Sequence, residues 1–401
     1  MNLLEGACVD RSVFLALGGG LATAVAFGPA RVGYGLFLPR FREAFSLSQS
    51  SAGLIASLGF AGFFVALIIT GWLVSRHSAR LPVVLGSVSA LLGLVIVAVS
   101  QNTLMLAIGV GCAATSAGFC WTPFNNAAER SVPETKRGRT LSIISTGTTV
   151  GIGFSGALAL AVAGLTQGWR VVWLVFAFTA LVSALINGWA MRRMPYSPNA
   201  TRSSMNWAAL VVPMLPLYGI AWSFGVTNSI YLSFAVQHVS ETGGLAGVRT
   251  NSAGPILYVA LGIGGLIGLA TADLEQRFGL TALVRVVFLC SFISLGVLGW
   301  YPAAWWSVLV SAALQGACVM ILSSIFAFWS ERLYPGLPTV SLTAVLVVFA
   351  AGNIIGPVAA GYTADATSLA ITFLGVACIS LATAVLFPGR TWRQQLARGA
   401  S

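Results

Sequence analysis

The residue with most chemistry to offer is Arg31, which stands inside a long apolar run between Arg11 and Arg40. At about 1.5 Å per helical residue it lies roughly 13 Å inside the Arg40 end of that run. A guanidinium keeps its proton in a protein, and at such depth in hydrocarbon it is costly unless it meets a cavity or a partner. Three roles fit. It reaches back to the surface, it bonds the carbonyls of a neighbouring helix, or it grips an anionic ligand through two N–H groups. Tyr34 follows three residues later on the same helical face, and Gly28, Gly33 and Gly35 keep the surroundings slender. All ten acids stand near the ends of apolar runs or between them: Glu5, Asp10, Glu43, Glu129, Glu134, Glu241, Asp273, Glu275, Glu331 and Asp365. A cavity holding a cation and no carboxylate prefers an anion by Coulomb attraction.

Other side chains offer weaker chemistry. Asn125, Trp222, Asn228, Tyr231 and Gln315 are polar or amphipathic groups inside apolar runs and, with Arg31 and Tyr34, form the candidate ligand-contacting set. Each alone serves more often as an interhelical bond or a packing aromatic. Clustered His, Asp or Glu, which an enzyme would need, is missing, so no catalytic residue, metal or cofactor is expected. His77 falls in a loop, and only His238 is placed to titrate near an entrance. Of the six cysteines, five lie in apolar runs and read as small buried hydrophobes.

The elements that must position these groups follow from composition. The chain has 401 residues, of which 57% are hydrophobic and 8% charged, with mean hydropathy +0.89. A soluble chain carries about 25% charged residues, so the main solvent is lipid, and soluble enzymes and nucleic-acid binders are excluded. Apolar segments run over 12–38, 50–74, 81–100, 104–128, 140–165 and 170–190, then over 207–235, 251–272, 281–299, 303–329, 336–362 and 367–387. A membrane helix needs about 20 residues, so twelve spans are expected. With the N-terminus inside, 16 of the 21 basic residues fall on the inner side and four on the outer side, leaving Arg31 within the first span. This bias follows the positive-inside rule and puts both termini in the cytoplasm. It also explains the net charge of +11 without invoking nucleic acid.

The expected fold is an all-α polytopic membrane protein of two pseudo-symmetric six-helix bundles, 1–193 and 207–401, joined by a cytoplasmic tether over 194–206. An internal repeat supports it. Ser51-Ala52-Gly53 and Ser252-Ala253-Gly254 open the second and eighth spans at an offset of 201, which also carries Arg76 onto Arg277. Six-plus-six parallel halves point to alternating access around a midplane site.

Over nearly its whole length the chain resembles the major facilitator superfamily. The loop after the second span holds Gly71, Ser75, Arg76, Ser78 and Arg80 where members carry Gly-x3-Asp-Arg-x-Gly-x-Arg, and the second copy keeps Arg277 and Gly279. The resemblance implies a conformational role for these residues, with Asp273 and Glu275 as nearby acids. Gly352, Gly356 and Pro357 are similar to a Gly/Pro signature of the family's eleventh helix. The run Phe27-Gly-Pro-Ala-Arg31-Val-Gly-Tyr34-Gly-Leu-Phe-Leu-Pro39 resembles the first helix of the YbfB/YjiJ-type bacterial members. The implied protein is a secondary transporter of the bacterial inner membrane. With Arg31, the expected substrate is a small organic anion such as a monocarboxylate; proton-coupled efflux of a hydrophobic, drug-like compound is the alternative. Expected partners are lipid, the solute, and a coupling proton or counter-anion, with the chain acting as a monomer.

Overall fold

The computed structural model describes residues 2–76, 79–164, 168–191, 207–334 and 338–387. The tether over 194–206 and His77 lie outside them. Hydrocarbon offers no partner for backbone N–H and C=O groups, so apolar chain of this kind folds into helices. Helices α1 (Asn2–Phe27) and α2 (Pro29–Phe45) form one span that breaks at Gly28, where ψ is −100°. Pro29 has no N–H to return to the preceding turn, which fixes the break there. The first half continues with α3 (Gln49–Arg76), α4 (Arg80–Ala98), α5 (Thr103–Ser131), α6 (Glu134–Ala161) and α7 (Gly168–Ala190). The second half has α8 (Trp207–Glu241), α9 (Thr250–Gly265), a 3-10 turn (Leu266–Ala270) running into α10 (Thr271–Phe278), then α11 (Leu280–Trp300), α12 (Trp305–Leu333), α13 (Pro338–Ala366) and α14 (Leu369–Leu386). Eleven spans among the described residues are long and apolar enough to cross a membrane, and α8, with 35 residues, has the length for a twelfth.

The first span runs further than its apolar stretch implies. Helix α2 continues through Pro39 and stops at Ser46, whose φ of 51° is left-handed. Arg40 and Arg42 therefore stand on a helix rather than in a loop.

Helix packing repeats between the halves. In the first half α1 packs on α6, α3 on α5, α4 on α7 and α4 on α5; in the second, α8 packs on α13, α9 on α12, α11 on α14 and α11 on α12. Each pair is the image of another under the offset found in the sequence, and α3 and α9 begin 201 residues apart, at Gln49 and Thr250. Between the halves, α3 meets α13, α6 meets α9, and α2 meets α8. The first two contacts exchange under the same pseudo-twofold relation, and the third maps onto itself.

The apolar core is shared at one end only. One cluster joins both halves, from Val25, Phe37, Phe41 and Trp173 to Tyr231, Val236, Leu257 and Phe373. Toward the other end it divides. Met214, Leu217, Phe288, Leu322 and Trp329 form a core within the second half, while Leu15, Phe63, Phe124 and Ile144 form one in the first half that meets the second through Leu346, Ala350 and the partly buried Leu342 of α13, Leu342 packing on both cores. The halves are thus joined at the end carrying Arg42 and Glu241, here the closed end, and have separate cores at the other.

Candidate functional site

Arg31 lies three residues past the Gly28 break. The kink turns its side chain into a cage of rings: its Cζ is 4.0 Å from the centroid of Phe63, 5.3 Å from Phe27, 5.5 Å from Phe60 and 5.9 Å from Phe349. Three rings belong to the first half, and Phe349 to α13 of the second. Ring faces attract a cation by up to about 2 kcal/mol when desolvated. Those faces accept no proton, however, and Arg31 Nε is buried with no hydrogen-bond partner. No hydrogen bond or ion pair to Arg31 is present among the described residues. Beside it Arg31, Tyr34, Phe60 and Leu232 border a void of about 10 Å³, the size of one water. The cage is backed by further rings: Trp121 meets Phe27 edge-on at 6.3 Å, and Phe224 stacks on Phe349 at 6.0 Å.

The other candidates divide. The Tyr34 hydroxyl donates to the Ala52 carbonyl of α3 at 3.1 Å, and its ring stacks on Phe41. Gln315 Nε2 donates to Asn228 Oδ1 at 3.1 Å, joining α8 to α12 with both residues buried. Tyr231 accepts a hydrogen bond from Ser311, which also bonds Ser294. These groups form a buried polar spine in the second half. Trp222 is 44% exposed, on one α8 face with Leu215 and Gly219, in the stretch where the cores are separate. Asn125 lies in α5, and its side chain is outside the described residues.

The closed end holds a second polar group. Glu241 Oε1 accepts from Arg42 at 2.5 Å, from Gln49 at 2.7 Å and from Gln237 at 2.8 Å. Arg42 and Gln49 come from the first half, Gln237 and Glu241 from the second. Asp365, at the end of α13, accepts the N–H groups of Gln49 and Ser50 at 3.0 and 2.8 Å. A carboxylate there satisfies orphan donors and meets the positive end of the α3 dipole. Beneath this rim the Tyr258 hydroxyl lies 2.9 Å from the Val32 carbonyl and 3.0 Å from that of Leu232, one from each half. Acids near helix ends were plain in the sequence, but nothing there paired Glu241 with Arg42. Glu241→Gln keeps the acceptor and removes the charge. We expect it to shift the equilibrium toward states open at this end by about 1 kcal/mol, roughly fivefold, because the pair is partly solvated. Spin-label distances between Ser48 and Ser368 check this.

The residues given a conformational role sit as follows. Arg76 lies over Trp72 at 4.9 Å and Arg277 over Phe278 at 5.6 Å. Arg80 opens α4. Gly279 ends α10 at φ +77°, and a Cβ on Gly71 would meet nothing within 4 Å. Glu275 forms a two-bond pair with Arg332 inside the second half, at 2.7 and 3.0 Å. Gly352 and Gly356 pack against α8 at Trp222 and Val226, while the Pro357 carbonyl faces Gly53 of the first half.

The model of the Major Facilitator Superfamily matches residues 15–335. The chain belongs to the major facilitator superfamily. As a member of this superfamily it is a multi-pass integral membrane protein and a secondary-active transporter of small solutes, not an enzyme. Among its relatives is the uncharacterized MFS-type transporter YwfA of Bacillus subtilis (strain 168), 26% identical over 358 residues, or 84% of each chain. Solved structures of similar fold include a bacterial homolog of the human lysosomal transporter Spinster, inward-facing and unoccupied (TM-score 0.69, 18% identity, 97% of each chain). A D-xylose-proton symporter is similar as well (TM-score 0.74, 14% identity, 94% of this chain and 97% of that one).

Proposed function

We propose that the protein carries a small organic anion, such as a monocarboxylate, by alternating access, with Arg31 as its charge contact. The observation that carries this is the Arg31 guanidinium, deep in the first span, with Nε buried and unpartnered. A membrane-depth arginine without a protein acid is stabilised best by a negative solute. By the bias of basic residues the closed end faces outward, so the solute would enter from the cytoplasmic side in this state. With no acid placed at mid-membrane, anion exchange or uniport fits better than a carboxylate proton relay. Gly71, Arg76, Arg80, Arg277, Gly279, Gly352, Gly356 and Pro357 are then the positions about which the halves rearrange. The Phe27–Pro39 motif is the ground for grouping the chain with YbfB/YjiJ-type members.

The test is uptake into proteoliposomes, with and without a pH gradient, of labelled sulfonates, whose permanent charge blocks passive leak, and of matched neutral sulfonamides. Saturable uptake of the anion alone is expected. Equal uptake of the neutral compound overturns the anion reading, and its gradient-driven export would favour proton-coupled efflux.

A further inference from the structure

We infer that the solute is a monoanion with a compact aromatic body, its charge on Arg31 and its ring against Phe27, Phe63 and Phe349. This rests on the anion reading of the same site and narrows it.

Charge sets the valence. Other arginines on the described helices either have partners or stand near helix ends, as do Arg76, Arg80, Arg137, Arg139 and Arg277, of which Arg137 also has a buried, unpartnered Nε near the start of α6. Arg40 and Arg42 pair with Glu43 and Glu241, Arg170 donates to the Ala98 and Ser100 carbonyls, Arg285 to that of Phe387, and Arg332 pairs with Glu275. Arg31 is left to neutralise one charge. A carboxylate binding side-on takes Nε–H and one terminal N–H together, and Nε is the buried donor without a partner. A second carboxylate would have to be buried among phenyl rings, where an unpaired charge is expensive.

The walls set the body. The groups around the guanidinium are rings, and they come from both halves. Aromatic pairs gain from edge-to-face and offset contact beyond their area. A hydroxyl-rich solute would want several amides at the cage, yet Asn228 and Gln315 are bonded to each other and Asn353 donates to the Phe349 carbonyl, which leaves the Gln315 Oε1 and Asn353 Oδ1 acceptors unpaired. An aryl acid needs no more polar contact than Arg31 supplies.

Calorimetric titration of the full chain in detergent tests this with four probes: benzoate, acetate, succinate and benzamide. Benzoate should bind at least tenfold more tightly than acetate, succinate no more tightly than acetate, and benzamide not at all. Phe63→Leu should cut the benzoate-to-acetate ratio severalfold. Acetate binding equal to benzoate overturns the aromatic body and leaves the anion reading standing. Tighter succinate overturns monovalence alone. Benzamide matching benzoate overturns the anion reading itself. An unchanged ratio in Phe63→Leu overturns the placement of the ring, and no binding by either monoanion overturns both inferences.

Discussion

Gly35→Val should abolish transport and hold the protein open at the Arg42 end. A Cβ on Gly35 would lie 1.8 Å from the Leu232 carbonyl oxygen and 2.9 Å from its carbon. Overpacking among side chains that can rotate costs roughly 1–3 kcal/mol. Here the obstacle is the backbone of a helix in the other half, which has no rotamer to change. Moving the two helices apart is the response open to the molecule, and that is the opening motion itself. Inverting a 99:1 preference takes roughly 5.5 kcal/mol, an amount a backbone overlap of this depth can supply. Flux should fall at least a hundredfold, while the spin-label distance at the closed end lengthens. The protein should remain monodisperse, since the substitution obstructs closure rather than either bundle. Gly296→Ala is the control, because a Cβ there meets nothing within 4 Å. Wild-type flux in Gly35→Val would show that α2 and α8 do not close against each other during the cycle.

Arg31→Gln should remove saturable anion uptake and, at the same time, raise the melting temperature. The first effect follows from losing charge-assisted bonds, together worth about 3 kcal/mol, or a hundredfold or more in half-saturation. The second follows from removing a cation that no acid offsets among the described residues. The signs separate the roles. An arginine that braces the bundle would lower the melting temperature when replaced, whereas one that waits for a ligand should raise it. Arg31→Lys keeps the charge and loses the planar fork, so we expect less than a tenth of wild-type transport.

Much of the architecture was legible because lipid leaves a chain few options. The spans follow from apolar length, and the 201-residue offset reappears in the starts of α3 and α9 and in the repeated helix pairs. Arg31 was legible for the same reason, since a charge in an apolar run has no ordinary explanation. The contacts between halves were not. Arg42 and Glu241 lie 199 residues apart in sequence, and Tyr258 reaches a carbonyl 226 residues away. Such pairs depend on how two bundles lean together, which no local pattern encodes. Asn228 and Gln315 read as ligand contacts by polarity alone, and their bond to each other depends on the facing of α8 and α12. The first apolar segment ends at residue 38, yet α2 continues through Pro39 and stops at the left-handed Ser46.

The Tyr258 hydroxyl has one proton and two acceptors, the carbonyls of Val32 and Leu232. When the halves part, it keeps Leu232, its neighbour in the second half, at full strength, and only the Val32 carbonyl needs water. Shared donors of this kind make weak individual bonds, so breaking one strands little. The seam behaves as a reusable fastener, and the backbone group it releases belongs to the residue next to Arg31.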